Sequence, residues 1–154
     1  MTTVVIMRHG DAVGGSPDRE RALSTFGQQQ VYDHAKATLS ELKFDTIVCS
    51  PYVRTVQTAQ RVVDAIGWMG NVVQSDAIES GASLQSAMQF LTTIPDGVCW
   101  LVISHMPLVA QWTHALVSDP YPHSFKTATN AIIHFSHGVA LEMGELQRIN
   151  HYGK

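Results

Sequence analysis

The 154-residue chain predicts an α/β fold of three layers, α/β/α, with a mostly parallel central sheet and an antiparallel hairpin at its C-terminal end. Three observations predict it. Short apolar runs alternate with stretches of helical periodicity, the order of successive βαβ units. The run Val98 to Ile103 is continuously apolar, as a strand covered on both faces requires. Three such runs also end in the same way, at basic residues followed by a turn. Val4-Val5-Ile6-Met7 leads into Arg8-His9-Gly10, Ile47-Val48-Cys49 into Ser50-Pro51 with Arg54 beyond, and Trp100-Leu101-Val102-Ile103 into Ser104-His105-Met106-Pro107. In an open α/β sheet such strand ends meet at one crevice, so two arginines and two histidines gather there, the composition of a phosphate pocket.

The elements follow in order. After the first strand and the loop from Val13 to Arg19, Ser24 caps a helix that carries Val31, Ala35, Leu39 and Leu42 on one face. Residues 46–49 form the second strand. Ser50-Pro51 starts a helix, because proline at the first helical position has its φ pre-set and lacks only a donor that would be unpaired anyway. Val53, Val56, Ala59 and Val63 form that helix's buried stripe, and Gly67 ends it. A short strand near Val72-Val73 and a helix from about Ser83, aligning Leu84, Ala87, Met88 and Leu91, lead to the turn Pro95-Asp96-Gly97. The strand at 98–103 is central. A helix from Pro107 to about Val117 and a Pro-containing loop from Ser118 to Thr129 come next, then a hairpin of Ala131 to Phe135 and Val139 to Ile149 around Ser136-His137-Gly138. No repeat or linker appears, and residues 1–154 read as a single domain.

Composition excludes several classes. With 45% hydrophobic and 15% charged residues the chain has enough apolar material for one core. A formal charge of −3 provides no basic surface for nucleic acid. No apolar stretch approaches the roughly 20 residues that cross a bilayer, and no basic-then-apolar leader opens the chain, so a cytoplasmic protein with no membrane partner is expected. Cys49 and Cys99 sit within apolar runs and read as small buried hydrophobes; neither a disulfide framework nor paired zinc spacing is present. His34, His114, His123, His134, His137 and His151 show no ligand spacing, and Trp68, Trp100 and Trp112 read as core packing. Neither a metal nor a cofactor is expected.

The chemistry lies at the three strand ends. Arg8 presents a planar fork of donors that matches phosphate oxygens in pairs, and Gly10 lets backbone approach a ligand closely. The imidazole of His9 could carry a proton or attack phosphorus directly, forming a phosphohistidine. Arg54 falls on the first turn of its helix, where the dipole disfavours a cation unless an anion lies between them. His105 repeats the arrangement at the third strand.

These motifs resemble the histidine phosphatase superfamily, which also holds the cofactor-dependent phosphoglycerate mutases. The resemblance rests on Arg8-His9-Gly10 after the first strand, Ser50-Pro-x-x-Arg54-Thr-x-Gln-Thr-Ala59 at the second and Ser104-His-x-Pro107 at the third. Met7-Arg-His-Gly-Asp-Ala12, Arg21-Ala-Leu-Ser-Thr-Phe-Gly27 and Val102-Ile-Ser-His-Met-Pro-Leu-Val109 are similar, more closely, to the SixA-type phosphohistidine phosphatases. The similarity runs from Val4 to about Thr129 and is weakest in the final hairpin. It implies that His9 is the phosphorylated nucleophile and that Arg8, Arg54 and His105 bind the phosphoryl oxygens. Arg21 matches a recurrent family position, where an ion pair that supports the site and a direct phosphate contact are both open.

Ester-cleaving members of the superfamily use a carboxylate as general acid, and Glu79, then Asp11, are the candidates here. A phosphohistidine substrate relaxes that need, because imidazole is a far weaker base than an alkoxide. An open groove around the site, with the loop from Ser118 to Thr129 beside it, would admit a protein side chain. The expected partner is therefore a phosphorylated histidine of a signalling or phosphotransfer protein, met by a monomer. The rivals are a phosphatase of small phosphoesters, a metal-dependent phosphoesterase with His9, Asp11 and His105 as ligands, and a module that binds phosphate or phosphohistidine without turnover.

Overall fold

A computed structural model describes residues 1–118 and 124–153. The strands are β1 (Thr2–Arg8), β2 (Thr46–Cys49), β3 (Val73–Gln74), β4 (Cys99–Ser104), β5 (Asn130–Phe135) and β6 (Gly144–Asn150). They form one sheet in the order β3-β2-β4-β1-β5-β6. Strands β1 to β4 pair in parallel, whereas β5 runs antiparallel to β1, and β6 to β5. The helices are α1 (Thr25–Leu39), α2 (Val53–Ile66), α3 (Leu84–Leu91) and α4 (Leu108–Val117).

Successive strand side chains point to opposite faces, and this alternation divides the core in two. Val4, Ile6 and Val102 face one way, against Ala87 and Leu91 of α3 and Leu108, Val109, Trp112 and Leu116 of α4. Val5, Met7, Leu101 and Ile103 face the other, against Val31, Ala35 and Leu39 of α1 and Ala59 and Val62 of α2. The three layers are thus those expected, and β4, flanked by β2 and β1, is central. Parallel register aligns Arg8 with Ser104 and Cys49 with Ile103, so β1, β2 and β4 deliver their following residues to one edge of the sheet.

Several boundaries differ from expectation. Ser24 does cap α1, its hydroxyl accepting from the Gly27 amide, but the helix ends at Leu39, and Leu42 packs from the turn beyond. Helix α2 begins at Val53 with Tyr52 as its cap, so Pro51 precedes the helix rather than opening it. Its fully buried side chains are Arg54, Thr55, Thr58, Ala59 and Val62, a face rotated from the expected valine stripe toward polar residues. Gly67 ends it in the left-handed conformation that favours glycine, at φ 69°. The second hairpin strand starts at Gly144, not Val139. Val139 is buried in the core, and the Glu142 amide donates to the Ala115 carbonyl, tying the connecting loop to α4.

Trp112 is fully buried as expected, its Nε1 without a partner among the described residues, whereas Trp68 and Trp100 are half-buried. Cys49 is buried and Cys99 only half-buried; burial pushes their thiols up to about 12 and about 11, with Asp45 adding to the second. Part of the loop from Ser118 to Thr129, including His123, lies outside the described residues. No helix among the described residues is long and apolar enough to cross a membrane.

Candidate active site

Backbone bonds at the end of β1 set the position of His9. The Arg8 amide donates to the Thr129 carbonyl (3.0 Å), the His9 amide to the Ser104 carbonyl (3.2 Å), and the Ala128 amide to the His9 carbonyl (2.9 Å). His9 is 7% exposed. Its Nδ1 lies 2.7 Å from the Gly10 carbonyl oxygen, which can only accept, so the proton belongs on Nδ1 and the lone pair on Nε2. Arg54 Nε donates to that Nε2 at 3.3 Å. Burial lowers the His9 pKa to about 4; the Gly10 bond opposes this, and the Arg8 and Arg54 cations add to it. His9 is therefore a neutral imidazole with a fixed tautomer.

The turn after His9 needs glycine at its first position, because a Cβ on Gly10 would meet Val31 Cγ2 at 2.5 Å and the Gly27 carbonyl oxygen at 3.2 Å. The Gly10 amide donates to Thr58 Oγ1 on α2 (3.1 Å), and that hydroxyl donates to the Arg54 carbonyl (2.7 Å). One threonine thus joins the β1 turn to the helix that carries Arg54. The Asp11 amide donates to Gln30 Oε1 (2.9 Å), and the Asp11 carboxylate accepts from the Ser24 hydroxyl (2.6 Å). Asp11 therefore organises its own turn and the cap of α1.

Arg54 is 4% exposed. Its Nη1 donates to the Asp18 carbonyl (2.8 Å) and its Nη2 to Asp18 Oδ2 (3.1 Å), with Asp18 on a single 3-10 turn, Asp18–Glu20. His105 is 2% exposed, and its ring centroid lies 5.5 Å from that of His9. Its Nε2 is 2.7 Å from Ser50 Oγ, which in turn lies 2.6 Å from Thr55 Oγ1. The Ser50 hydroxyl is thus engaged with His105 and Thr55, the physical reason that α2 starts later than Ser-Pro suggests. Burial, then His9 and Arg54, lower His105 to about 3. Tyr52 packs edge-on against His105, its ring centroid 4.8 Å away, and the Arg54 guanidinium lies 5.1 Å from that ring.

Arg8 donates from Nη1 to the Phe125 carbonyl (2.9 Å), and burial followed by Arg54 depresses its pKa. Arg8 Nε and His105 Nδ1 are both buried with no partner among the described residues. A buried group left unpaired costs about 1–3 kcal/mol, so two at one site mark a place where a ligand supplies the missing partners. Two guanidinium groups and two imidazoles suit an oxyanion of phosphate geometry.

His9, Arg8, Arg54 and His105 are thus brought together, as expected. Glu79 forms an ion pair with Arg19 at 3.3 Å, both partly exposed, and the Arg19 guanidinium lies 4.9 Å from the Tyr52 ring. Of the two roles open for Arg21, the ion pair is present: Nη1 meets Asp18 Oδ1 at 2.8 Å and Nε the Val13 carbonyl at 2.7 Å. Among the described residues no three His, Cys, Asp or Glu side chains stand where they could hold a metal ion, and the Asp11 carboxylate turns to Ser24. His9, Asp11 and His105 are therefore not a ligand set. Sequence reasoning missed Asp18, Tyr52, Thr55 and Thr58. The threonines had a signal, two small polar residues on a helix face that packs inward, whereas Asp18 in a Gly/Ser/Pro loop had none.

Residues 4–80 match the family model of the histidine phosphatase superfamily (branch 1). Over 139 residues the chain is 33% identical to the phosphohistidine phosphatase SixA homolog of Haemophilus influenzae, covering 83% of this chain and 85% of that protein. The chain belongs to the histidine phosphatase superfamily. Within it, the phosphohistidine phosphatase SixA of Escherichia coli is 33% identical over 140 residues, 84% of this chain and 83% of that protein. The structure of the protein histidine phosphatase SixA complexed with tungstate superposes with a TM-score of 0.84 at 25% identity, covering 96% of this chain and 95% of that one. A phosphoserine phosphatase of Entamoeba histolytica shares the fold at a TM-score of 0.74 and 17% identity, over 99% of this chain and 98% of that one. The superfamily member described here is of the SixA type, with the mostly parallel sheet and the C-terminal β5-β6 hairpin.

Proposed function

We propose that this chain, acting as one domain over residues 1–154, is a phosphohistidine phosphatase that works through a covalent phospho-His9. The observation that carries the reading is the tautomer of His9: with its proton held on Nδ1 by the Gly10 carbonyl, Nε2 keeps the lone pair, which accepts from Arg54 Nε and attacks phosphorus once a phosphoryl oxygen takes over that donor. The N–P bond from Nε2 forms as the N–P bond of the substrate breaks, and the substrate imidazole leaves as a neutral ring when its other nitrogen holds a proton. Phospho-His9 then keeps its Nδ1 proton and is a cationic ring, itself a good leaving group when water attacks phosphorus and releases phosphate. Arg8, Arg54 and His105 offset the charge on the phosphoryl oxygens, and loss of one such donor costs on the order of 10² to 10³ in rate.

The SixA relatives support the substrate class, since two are named phosphohistidine phosphatases and the third, a protein histidine phosphatase, is complexed with tungstate, a tetrahedral oxyanion. The carboxylates weighed as general acids are each held by another side chain, Glu79 by Arg19 and Asp11 by Ser24, which suits a leaving group that needs no strong acid. The partner is a phosphorylated histidine on a signalling or phosphotransfer protein, met in the cytoplasm by a monomer.

The test is to incubate the protein, in the presence of a chelator, with a histidine-containing peptide carrying a labelled phosphoryl group. Acid-labile label on the wild type, absent from His9→Ala, together with release of phosphate, is expected. Label that persists in His9→Ala, turnover abolished by the chelator, or phosphate binding without turnover would each overturn the reading.

A further inference from the structure

We propose that Asp18 is the positioning residue for Arg54: it grips the far edge of the guanidinium and thereby aims Nε at His9 Nε2. The inference rests on the reading above, in which Arg54 binds the transferred phosphoryl group. A guanidinium has five N–H donors in one plane, so holding one edge fixes the direction of the other. Here both terminal nitrogens are held by the same residue, Nη1 by the Asp18 carbonyl at 2.8 Å and Nη2 by Asp18 Oδ2 at 3.1 Å, while Nε points to His9 Nε2 at 3.3 Å. The second hydrogen of Nη2 shares the Nε edge and remains for a phosphoryl oxygen.

The clamp is itself braced. Asp18 Oδ1 accepts from Arg21 Nη1 at 2.8 Å, and Arg21 Nε is fixed to the Val13 carbonyl at 2.7 Å. A connected path therefore runs from the loop backbone at Val13 through Arg21 and Asp18 to Arg54 and His9. Bonding to Arg21, then to Arg54, keeps the Asp18 carboxyl below its usual range, so it stays ionised and available to both. The charge serves a second purpose. Arg54 stands on the first turn of α2, where the helix dipole opposes a cation, and next to Arg8, which repels it. A carboxylate on the side away from His9 offsets both without occupying the phosphoryl position.

With the carboxylate removed, the Asp18 backbone carbonyl remains as a single pivot, and rotation about one hydrogen bond takes Nε off the His9 line. A small misplacement of a group that stabilises the transition state costs up to about 10² in rate. Glu20, exposed on the same 3-10 turn and in neither contact set, provides the control.

The experiment compares wild type, Asp18→Ala, Arg54→Ala, the double variant and Glu20→Ala, using a histidine-containing peptide chemically phosphorylated with phosphoramidate as substrate and recording a thermal melt for each. Asp18→Ala is expected to lower kcat roughly 10- to 100-fold with a smaller change in KM, while Glu20→Ala matches wild type. The double variant is expected to be no slower than Arg54→Ala alone, within about 2-fold, because without the guanidinium there is nothing for Asp18 to aim. A merely structural role would instead lower the melting point and multiply its loss onto that of Arg54→Ala. Wild-type kcat in Asp18→Ala beside a large loss in Arg54→Ala, or losses that multiply in the double variant, would overturn the inference. Full activity in Arg54→Ala would overturn the phosphoryl-binding role of Arg54 itself, an outcome distinct from both.

Discussion

Thr58 is fully buried, and replacing it with valine swaps a hydroxyl for a methyl of nearly the same size. The consequence can be worked out bond by bond. As donor, the hydroxyl adds a second bond to the Arg54 carbonyl, which already accepts within α2, so little is lost there. As acceptor it is the partner of the Gly10 amide at 3.1 Å, and that buried N–H is left without one. An orphaned buried donor costs about 1–3 kcal/mol. For a chain of this size each kcal/mol shifts Tm by roughly 2–4 °C, so Thr58→Val is expected to melt roughly 2–12 °C below wild type. Because Gly10 also supplies the carbonyl that holds His9 Nδ1, labelling of His9 should slow as well. Thr58→Ser keeps the oxygen and should recover most of both losses. The assay is a thermal melt paired with the rate of phosphoryl labelling. A Thr58→Val protein with wild-type Tm and labelling rate, or a serine variant no better than valine, would refute the reasoning.

Two further outcomes follow from the same geometry. His9 and His105 have folded pKa values of about 4 and about 3, below the ordinary 6.5, so the unfolded chain binds more protons and stability falls as pH drops from about 6.5 toward those values. The slope should approach about 1.4 kcal/mol per pH unit for each histidine, measurable by urea denaturation between pH 7 and 4, with the His9 share absent from His9→Gln; a flat profile would contradict the neutral pair. Gly27→Ala, a change that usually stabilises a helix interior, should here destabilise by about 1–3 kcal/mol in a urea melt, because its Cβ would collide with the backbone of Asp11; a gain in stability would show that this contact yields.

Much of the fold could be read from the chain because its strands are short, apolar and separated by strong punctuation. Thr46 to Cys49 forms a strand at the bounds expected, and Ser24, Ser83 and Gly67 act as the caps their residue types suggest. Errors arose where a long-range bond outcompeted a local preference. Ser50 reads as part of a helix start, but its hydroxyl is engaged with His105, 55 residues away. The valines of α2 read as its buried stripe, yet the helix turns Arg54, Thr55 and Thr58 inward because they serve the turn at Gly10 and the pocket. Val139 looked like strand because it is apolar; it is buried, but as an anchor of the loop against α4 rather than a rung of the ladder. For the site, strand ends identified His9, Arg54 and His105, since each follows an apolar run by a few residues. Asp18 lies in a loop whose composition signals only a turn, and its partner Arg54 is 36 residues further along, beyond the reach of any local pattern.

Arg8 Nε and His105 Nδ1, buried without a partner among the described residues, have a consequence for how such a protein changes over time. A site that buries cations and unpaired nitrogens is a weak point of the fold, and an anion that binds there stabilises the folded state by mass action. Apolar replacements at these positions would relieve that weakness while abolishing what the pocket binds. The pocket therefore marks where this chain is held back from its most stable sequence, and drift toward stability there leads to a folded relative that no longer turns over phosphate.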